Sequence, residues 1–299
     1  MGSRTSSAGS AIANPETGKR AYVQRAGGIL ALAMALITAA VVAPTRALVV
    51  VSDRGSADTT RPSDDPGVSN VGTVWALTGT YLGNGWMLTA SHVGAGPVVL
   101  GSRKFNPVPD STVQLRNPDG TLADIIVFRI DGVPRLPRLQ IASATPKVGT
   151  PVVLVAHGRN RGAPLIWSGH PGFAWGTASA LRWGTNIVAK TEVRVNSTQA
   201  FVTQFRKDGA TSHEAQAAQG DSGGAVFVKE QGKWRLAGLL YMVAGYPNQP
   251  AEAALYGNFS LCADLAQYRL QIEKLAMKPT RHDPSKQKDS PQSEPVLPR

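Results

Sequence analysis

Cysteine is almost absent from this chain: Cys262 is its one thiol in 299 residues. No intramolecular disulfide can form, so the fold rests on its own core rather than on covalent staples. Aromatic residues are sparse at 6% and charged residues stand at 17%. Histidines are few, and His157 and His213 lack the paired spacing of a metal site, while His170 sits between Gly169 and Pro171 in a loop pattern. No glycine-rich phosphate loop, no metal-ligand cluster and no internal repeat is visible. These absences imply no cofactor and no metal.

Acidic residues are outnumbered, giving a net charge of +11 and a pI near 10.0. The excess is concentrated toward the two ends. No basic helix face and no basic stripe interleaved with aromatics is present, so nucleic acid is not implied as a partner. The N-terminal 47 residues read as a targeting segment. Lys19, Arg20 and Arg25 precede an apolar run from Gly27 to Ala43, and Thr45-Arg46-Ala47 is a cleavage-site pattern. The expectation is a cleaved signal peptide, with a membrane anchor as the alternative, and a secreted or periplasmic protein. Membrane contact follows only if the segment stays uncleaved.

What is present is 42% hydrophobic residue with 31 glycines and 21 prolines, which suits a loop-rich β protein. Short runs such as Thr73 to Leu82, Gly85 to Leu88, Ile125 to Ile130, Pro151 to Ala156 and Trp234 to Met242 read as strands between turn residues. Asp131 to Ala144, with Pro134 and Pro137, reads as a connector between two halves, 48–143 and 144–277. One helix is expected after Ser260, from the stripe Leu261, Leu265, Tyr268, Ile272 and Leu275. Cys262 lies at the start of that stripe and reads as a buried thiol. The Pro-, Ser- and charge-rich tail 278–299 reads as disordered.

The chemistry gathers at Gly220-Asp221-Ser222-Gly223-Gly224. Glycines around a serine let the backbone turn sharply and approach a ligand. Such a turn can aim the N–H groups of Gly220 and Ser222 at the oxyanion that forms if the Ser222 hydroxyl attacks a carbonyl. A serine hydroxyl needs a base. The candidate is His92 in Leu88-Thr89-Ala90-Ser91-His92, and the candidate carboxylate is Asp124, ahead of Ile125-Ile126-Val127. Asp110, Asp119 and Asp131 compete for that role, although Asp119 is explained by its Asp-Gly turn. Each residue also has a structural reading: a strand-end histidine, a turn aspartate, a glycine-rich turn.

The order His, Asp, Ser and the Gly220–Gly224 motif resemble the trypsin/chymotrypsin-like serine proteases, in a secreted, bacterial-looking, disulfide-free form. Thr89-Ala90-Ser91-His92, with Ser91 where alanine is usual, and Tyr256-Gly257-Asn258-Phe259 add to the likeness, which covers roughly 48–277. The resemblance implies an all-β fold of two packed six-stranded antiparallel β-barrels with a C-terminal helix, and a site in the cleft between them. It implies a serine endopeptidase acting on protein or peptide substrates through an acyl-enzyme, with His92, Asp124 and Ser222 as triad. It places Gln216 at the base of the primary pocket and Tyr241 and Val243 on the opposite wall. With a neutral Gln216, tryptic preference is not expected, and small or medium uncharged side chains are. In that family the position of Asp221 pairs with a free amino terminus, and cleavage after Ala47 would expose Leu48. A catalytically silent, protein-binding relative and an esterase with the same triad stay open as alternatives.

Overall fold

The computed structural model describes residues 48–50, 59–209 and 211–276. The expected targeting segment 1–47 and the tail 278–299 lie outside these residues. Alternating and continuous apolar runs between turns form strands, as periodicity two requires. A two-residue strand β1 (Val49–Val50) comes first. Then follow β2 (Val71–Val74), β3 (Leu77–Gly83), β4 (Trp86–Thr89), β5 (Val98–Leu100), β6 (Arg103–Phe105), β7 (Val113–Arg116) and β8 (Leu122–Arg129). β2 to β8 make one antiparallel sheet in the order β6-β5-β2-β3-β4-β8-β7.

The second half holds β9 (Pro151–Trp167), β10 (His170–Val195), β11 (Thr198–Gln204), β12 (Ala215–Gln216), β13 (Ala225–Glu230), β14 (Lys233–Ala244), β15 (Ala253–Leu255) and β16 (Phe259–Asp264). Seven of these, without β12, form the second sheet, ordered β11-β16-β14-β13-β9-β10-β15. β10 also pairs with β11, from Val188↔Thr203 to Val195↔Thr198, so six strands pair around a ring and β15 adds to the free side of β10. The protein is thus all-β, built on two packed antiparallel sheets with one C-terminal helix. Each sheet has seven strands where six were expected, and the first runs openly from β6 to β7.

Turn chemistry is local. Gln231-Gly232 joins β13 to β14 and Ser168-Gly169 joins β9 to β10. All four residues have positive φ (49°, 75°, 46° and 80°), as two-residue hairpins matching strand twist require. The β9–β10 hairpin is longer than expected. Its middle, around Gly158, Gly162 and Gly176, stays paired through register shifts rather than breaking into loops.

One expectation needs correction. Leu261 and Cys262 are strand residues of β16, held between β11 and β14, not the start of a helix. The helix α1 spans Leu265–Ala276 and buries Leu265, Tyr268, Ile272 and Ala276 along one face. Asp264 Oδ1 accepts from Ala266 N–H at 3.2 Å and marks the switch from strand to helix. Tyr268 ties the halves together: its hydroxyl donates to Asn117 Oδ1 (2.7 Å) and accepts from Gln199 N–H (2.9 Å). A continuous apolar core runs from Leu88 and Phe128 on the first sheet to Phe227, Leu239 and Tyr241 on the second.

Candidate active site

β4 ends at Thr89, opposite Ile126 of β8. The chain then turns through Val93 N–H to Ala90 O (3.0 Å) and Gly94 N–H to Ser91 O (3.1 Å), which lifts His92 off the sheet. Two residues before Ile126, and therefore on the same face of β8, stands Asp124. Its Oδ2 accepts from His92 Nδ1 at 2.7 Å and its Oδ1 from the His92 backbone N–H at 3.0 Å. Thr198 Oγ1 accepts from Asp124 N–H at 2.9 Å, which steadies this edge from the second sheet. With the carboxylate on Nδ1, the imidazole keeps its proton there and offers Nε2 as acceptor. Nε2 lies 2.9 Å from Ser222 Oγ. Ser222 is 6% exposed.

The serine is carried by a turn between β12 and β13. Gly224 N–H bonds Asp221 O at 2.7 Å, and Gly223 N–H bonds Leu240 O at 2.8 Å. Gly223 has φ of +93°, and a Cβ there would lie 2.0 Å from Thr78 O, so no side chain fits. Gly220, φ +105°, is likewise in the region that favours glycine. The approach to the turn is pinned as well: Ala217 N–H donates to Ser260 Oγ at 2.8 Å, and Asn186 Nδ2 to Ala215 O at 2.8 Å.

Asp221 is buried. Oδ2 accepts from Ala218 N–H at 2.8 Å, while Oδ1 has no partner among the described residues. Burial pushes its carboxyl well above the usual carboxylate range, and the Arg182 guanidinium opposes this only in part. Leu48 and Val49 are buried, and β1 joins β12 through Val49↔Gln216.

Beside Ser222 is a recess of about 20 Å³, lined by Ala217, Ala218, Leu240, Tyr241, Met242 and Val243 as well as Asp221 and Ser222. Tyr241 and Val243, expected on a pocket wall, are among these lining residues. Tyr241 sits at a register shift between β14 and β16, a bulge that re-aims side chains next to the site. Gln216 is buried, its Oε1 without a partner among the described residues, and it is not among the residues lining the recess. Of the competing aspartates, Asp119 accepts from Thr121 N–H and Oγ1 and pairs with Arg194, holding its carboxyl down to about 2. Asp131 accepts from Asn106, and neither reaches His92. Thr78, Thr80 and Thr198, whose hydroxyls reach the site's backbone, carry no sequence signal because threonine on a strand reads as an ordinary β former.

Solved structures of similar shape include neuropsin, a serine protease expressed in the limbic system of mouse brain. It is 16% identical, with TM-score 0.46, covering 70% of this chain and 95% of that one. An inactive form of Rv3671c from M. tuberculosis H37Rv is 18% identical, with TM-score 0.42, covering 77% and 97%. Kallikrein-related peptidase 10 is 15% identical, with TM-score 0.47, covering 71% and 97%. A search of curated proteins gives no match. The family profile of the trypsin-like peptidase domain matches residues 72–239, more than half of the sequence, and the chain belongs to that family.

Proposed function

We propose that this family member is a serine endopeptidase whose nucleophile is Ser222. The observation that carries the reading is the unbroken line Asp124–His92–Ser222, at 2.7 and 2.9 Å. In this reading His92 Nε2 takes the Ser222 proton as Oγ attacks a peptide carbonyl, and Asp124 holds the imidazolium that results. The carbonyl oxygen receives N–H groups of Gly220 and Ser222. His92 then delivers its proton to the leaving amine, an acyl-enzyme forms on Oγ, and a water deprotonated by His92 releases the acid. The small recess favours a small uncharged side chain before the scissile bond, since its volume is close to that of a water molecule.

Two further features belong to this reading. Export with cleavage after Ala47 would create an ammonium at Leu48, and the unpartnered Oδ1 of buried Asp221 is the acceptor such a charge requires. The mature protein is then secreted or periplasmic. Intact-mass measurement of the exported, active protein checks this, and a start elsewhere than Leu48 contradicts it.

The test of the main proposal is hydrolysis of a peptide anilide panel with Gly, Ala, Val, Phe or Arg before the scissile bond. Turnover of the Ala substrate that disappears in Ser222→Ala supports the reading. Cleavage of short acyl esters with no peptide turnover points to the esterase alternative instead.

A further inference from the structure

The turn that carries Ser222 belongs to the second sheet, yet three of its carbonyls are held by the first. Thr78 Oγ1 donates to Gly220 O at 2.6 Å. Thr78 N–H donates to Ser222 O at 3.2 Å. Thr80 Oγ1 donates to Gly223 O at 3.0 Å. Both threonines lie on β3 and are fully buried, and they face the same way because they are two residues apart. Thr78 is itself fixed. Its hydroxyl oxygen accepts from His157 N–H at 2.9 Å, which leaves its own proton for Gly220, and Thr89 Oγ1 donates to Thr78 O at 2.8 Å.

These bonds alternate with the groups the reaction would use. A peptide plane is rigid, so holding the Gly220 carbonyl fixes the plane that joins Gly220 to Asp221. The Asp221 end of that plane points at Ala218 O, at 3.4 Å. The plane that joins Ser222 to Gly223 is held in the same manner, by Thr78 N–H at one end and Leu240 O at the other. The N–H groups of Gly220 and Ser222 belong to the peptides next to these two planes. Glycine at 220 and 223 gives the turn freedom to flip, with φ of +105° and +93°, and a loop so free needs an external hold.

We propose that Thr78 is a positioning residue for the oxyanion-binding turn. Its hydroxyl, given across the barrel interface to Gly220 O, sets the aim of the Gly220 and Ser222 N–H groups, and Thr80 secures the far side of the turn. The inference rests on the reading of Ser222 as nucleophile. It deepens that reading by making the first sheet responsible for the shape of the second sheet's oxyanion site.

The test compares Thr78→Val, which keeps the β-branched shape and loses the hydroxyl, with Thr78→Ser, which keeps the hydroxyl. Thr78→Val is expected to lower kcat on a short acyl ester about 10- to 100-fold, leaving KM nearly unchanged, because the donors act on the transition state. Thr78→Ser is expected to recover most of the loss. A Thr78→Val protein with wild-type kcat, or one that loses thermal stability alone, overturns the assignment. Amide hydrogen exchange over residues 218–224 gives a readout independent of turnover. It should quicken in Thr78→Val and return in Thr78→Ser, and unchanged exchange also overturns the proposal. If the wild type shows no Ser222-dependent turnover, the proposed function fails while exchange still decides the hold on the turn. Should Thr78→Val not fold, Thr78→Ala, which leaves room for water beside the carbonyl, is read in the same way. Failure of both to fold would make Thr78 a structural residue and end the proposal.

Discussion

Asp124 on the first sheet bonds His92 and Asp221 on the second directly precedes Ser222, and the fold treats these two carboxylates in opposite ways. Asp124 remains 21% exposed and uses both oxygens on one residue, His92, through ring and backbone. Asp221 is 1% exposed and satisfies one oxygen only. The first arrangement is finished: it can hold a cation forming on the imidazole without moving. At the second, burial outweighs the Ala218 hydrogen bond and the pull of Arg182 and drives the carboxyl toward its neutral form. The contrast separates two tasks, orienting the base and holding the turn. The first depends on a side-chain pair at the cleft surface, the second on interior backbone and on whatever meets Asp221.

Breaking the first region should have the larger effect. Asp124→Asn keeps the shape but favours the wrong imidazole tautomer, and kcat should fall on the order of 10⁴-fold. Steady-state kinetics near neutral pH check this, and a loss under tenfold would mean another group orients His92. Asp221→Asn sharpens the comparison. It keeps an acceptor for Ala218 N–H but cannot carry charge, so activity should fall less than in Asp124→Asn, while folding should survive. Its stability also has a signed pH dependence. The folded carboxyl titrates above the 3.8 of an unburied one, so the native state binds more protons in that window. Stability therefore drops as pH rises from about 3.8 through the folded value. Across this range, urea unfolding of the uncleaved chain, in which Leu48 carries no ammonium, should show the drop shrinking in Asp221→Asn, and equal slopes would contradict an unpaired Asp221 there.

The recess supplies a smaller effect. Val243→Gly should raise kcat/KM for a Phe substrate about tenfold over the wild type, in line with the modest worth of a few methylenes. An anilide panel reads this, and no change would mean that Val243 does not bound the site. The smallest effect concerns His157, whose ring is held below the usual 6.5 by burial and whose Nδ1 has no partner among the described residues. The unfolded chain then gains the proton first, so stability falls as pH drops from about 6.5 toward the folded value. His157→Gln should flatten that part of the stability curve, and an unchanged slope would show the ring to be solvated.

How far the sequence reveals this molecule depends on whether a signal is local. Gly220–Gly224 is legible because a tight turn demands glycine, and His92 because its strand end is short and apolar. Asp124 is legible from the strand behind it. Thr78-Gly79-Thr80 carries no such mark, since its hydroxyls act on a turn 142 residues away, brought near by the packing of two sheets. Leu261 and Leu265, four apart, read as a helical stripe. Pairing of Cys262 with both Phe201 and Leu240 overrides that reading at the start and keeps Leu261 in a strand, while the helix begins at Leu265. The long β9–β10 hairpin is hidden for the opposite reason, because its glycines look like breaks while cross-strand bonds keep them in register. Gln216 is placed by counting back from Ser222; its side chain is buried, and it is not among the residues lining the recess.

The most direct measurement is labelling of the exported protein with a fluorophosphonate probe, with mass spectrometry to locate the adduct. The account predicts a single adduct on Ser222, formed by the wild type and absent from Ser222→Ala and His92→Ala. A folded, correctly processed wild type that takes up no probe, or one labelled equally without His92, would contradict it.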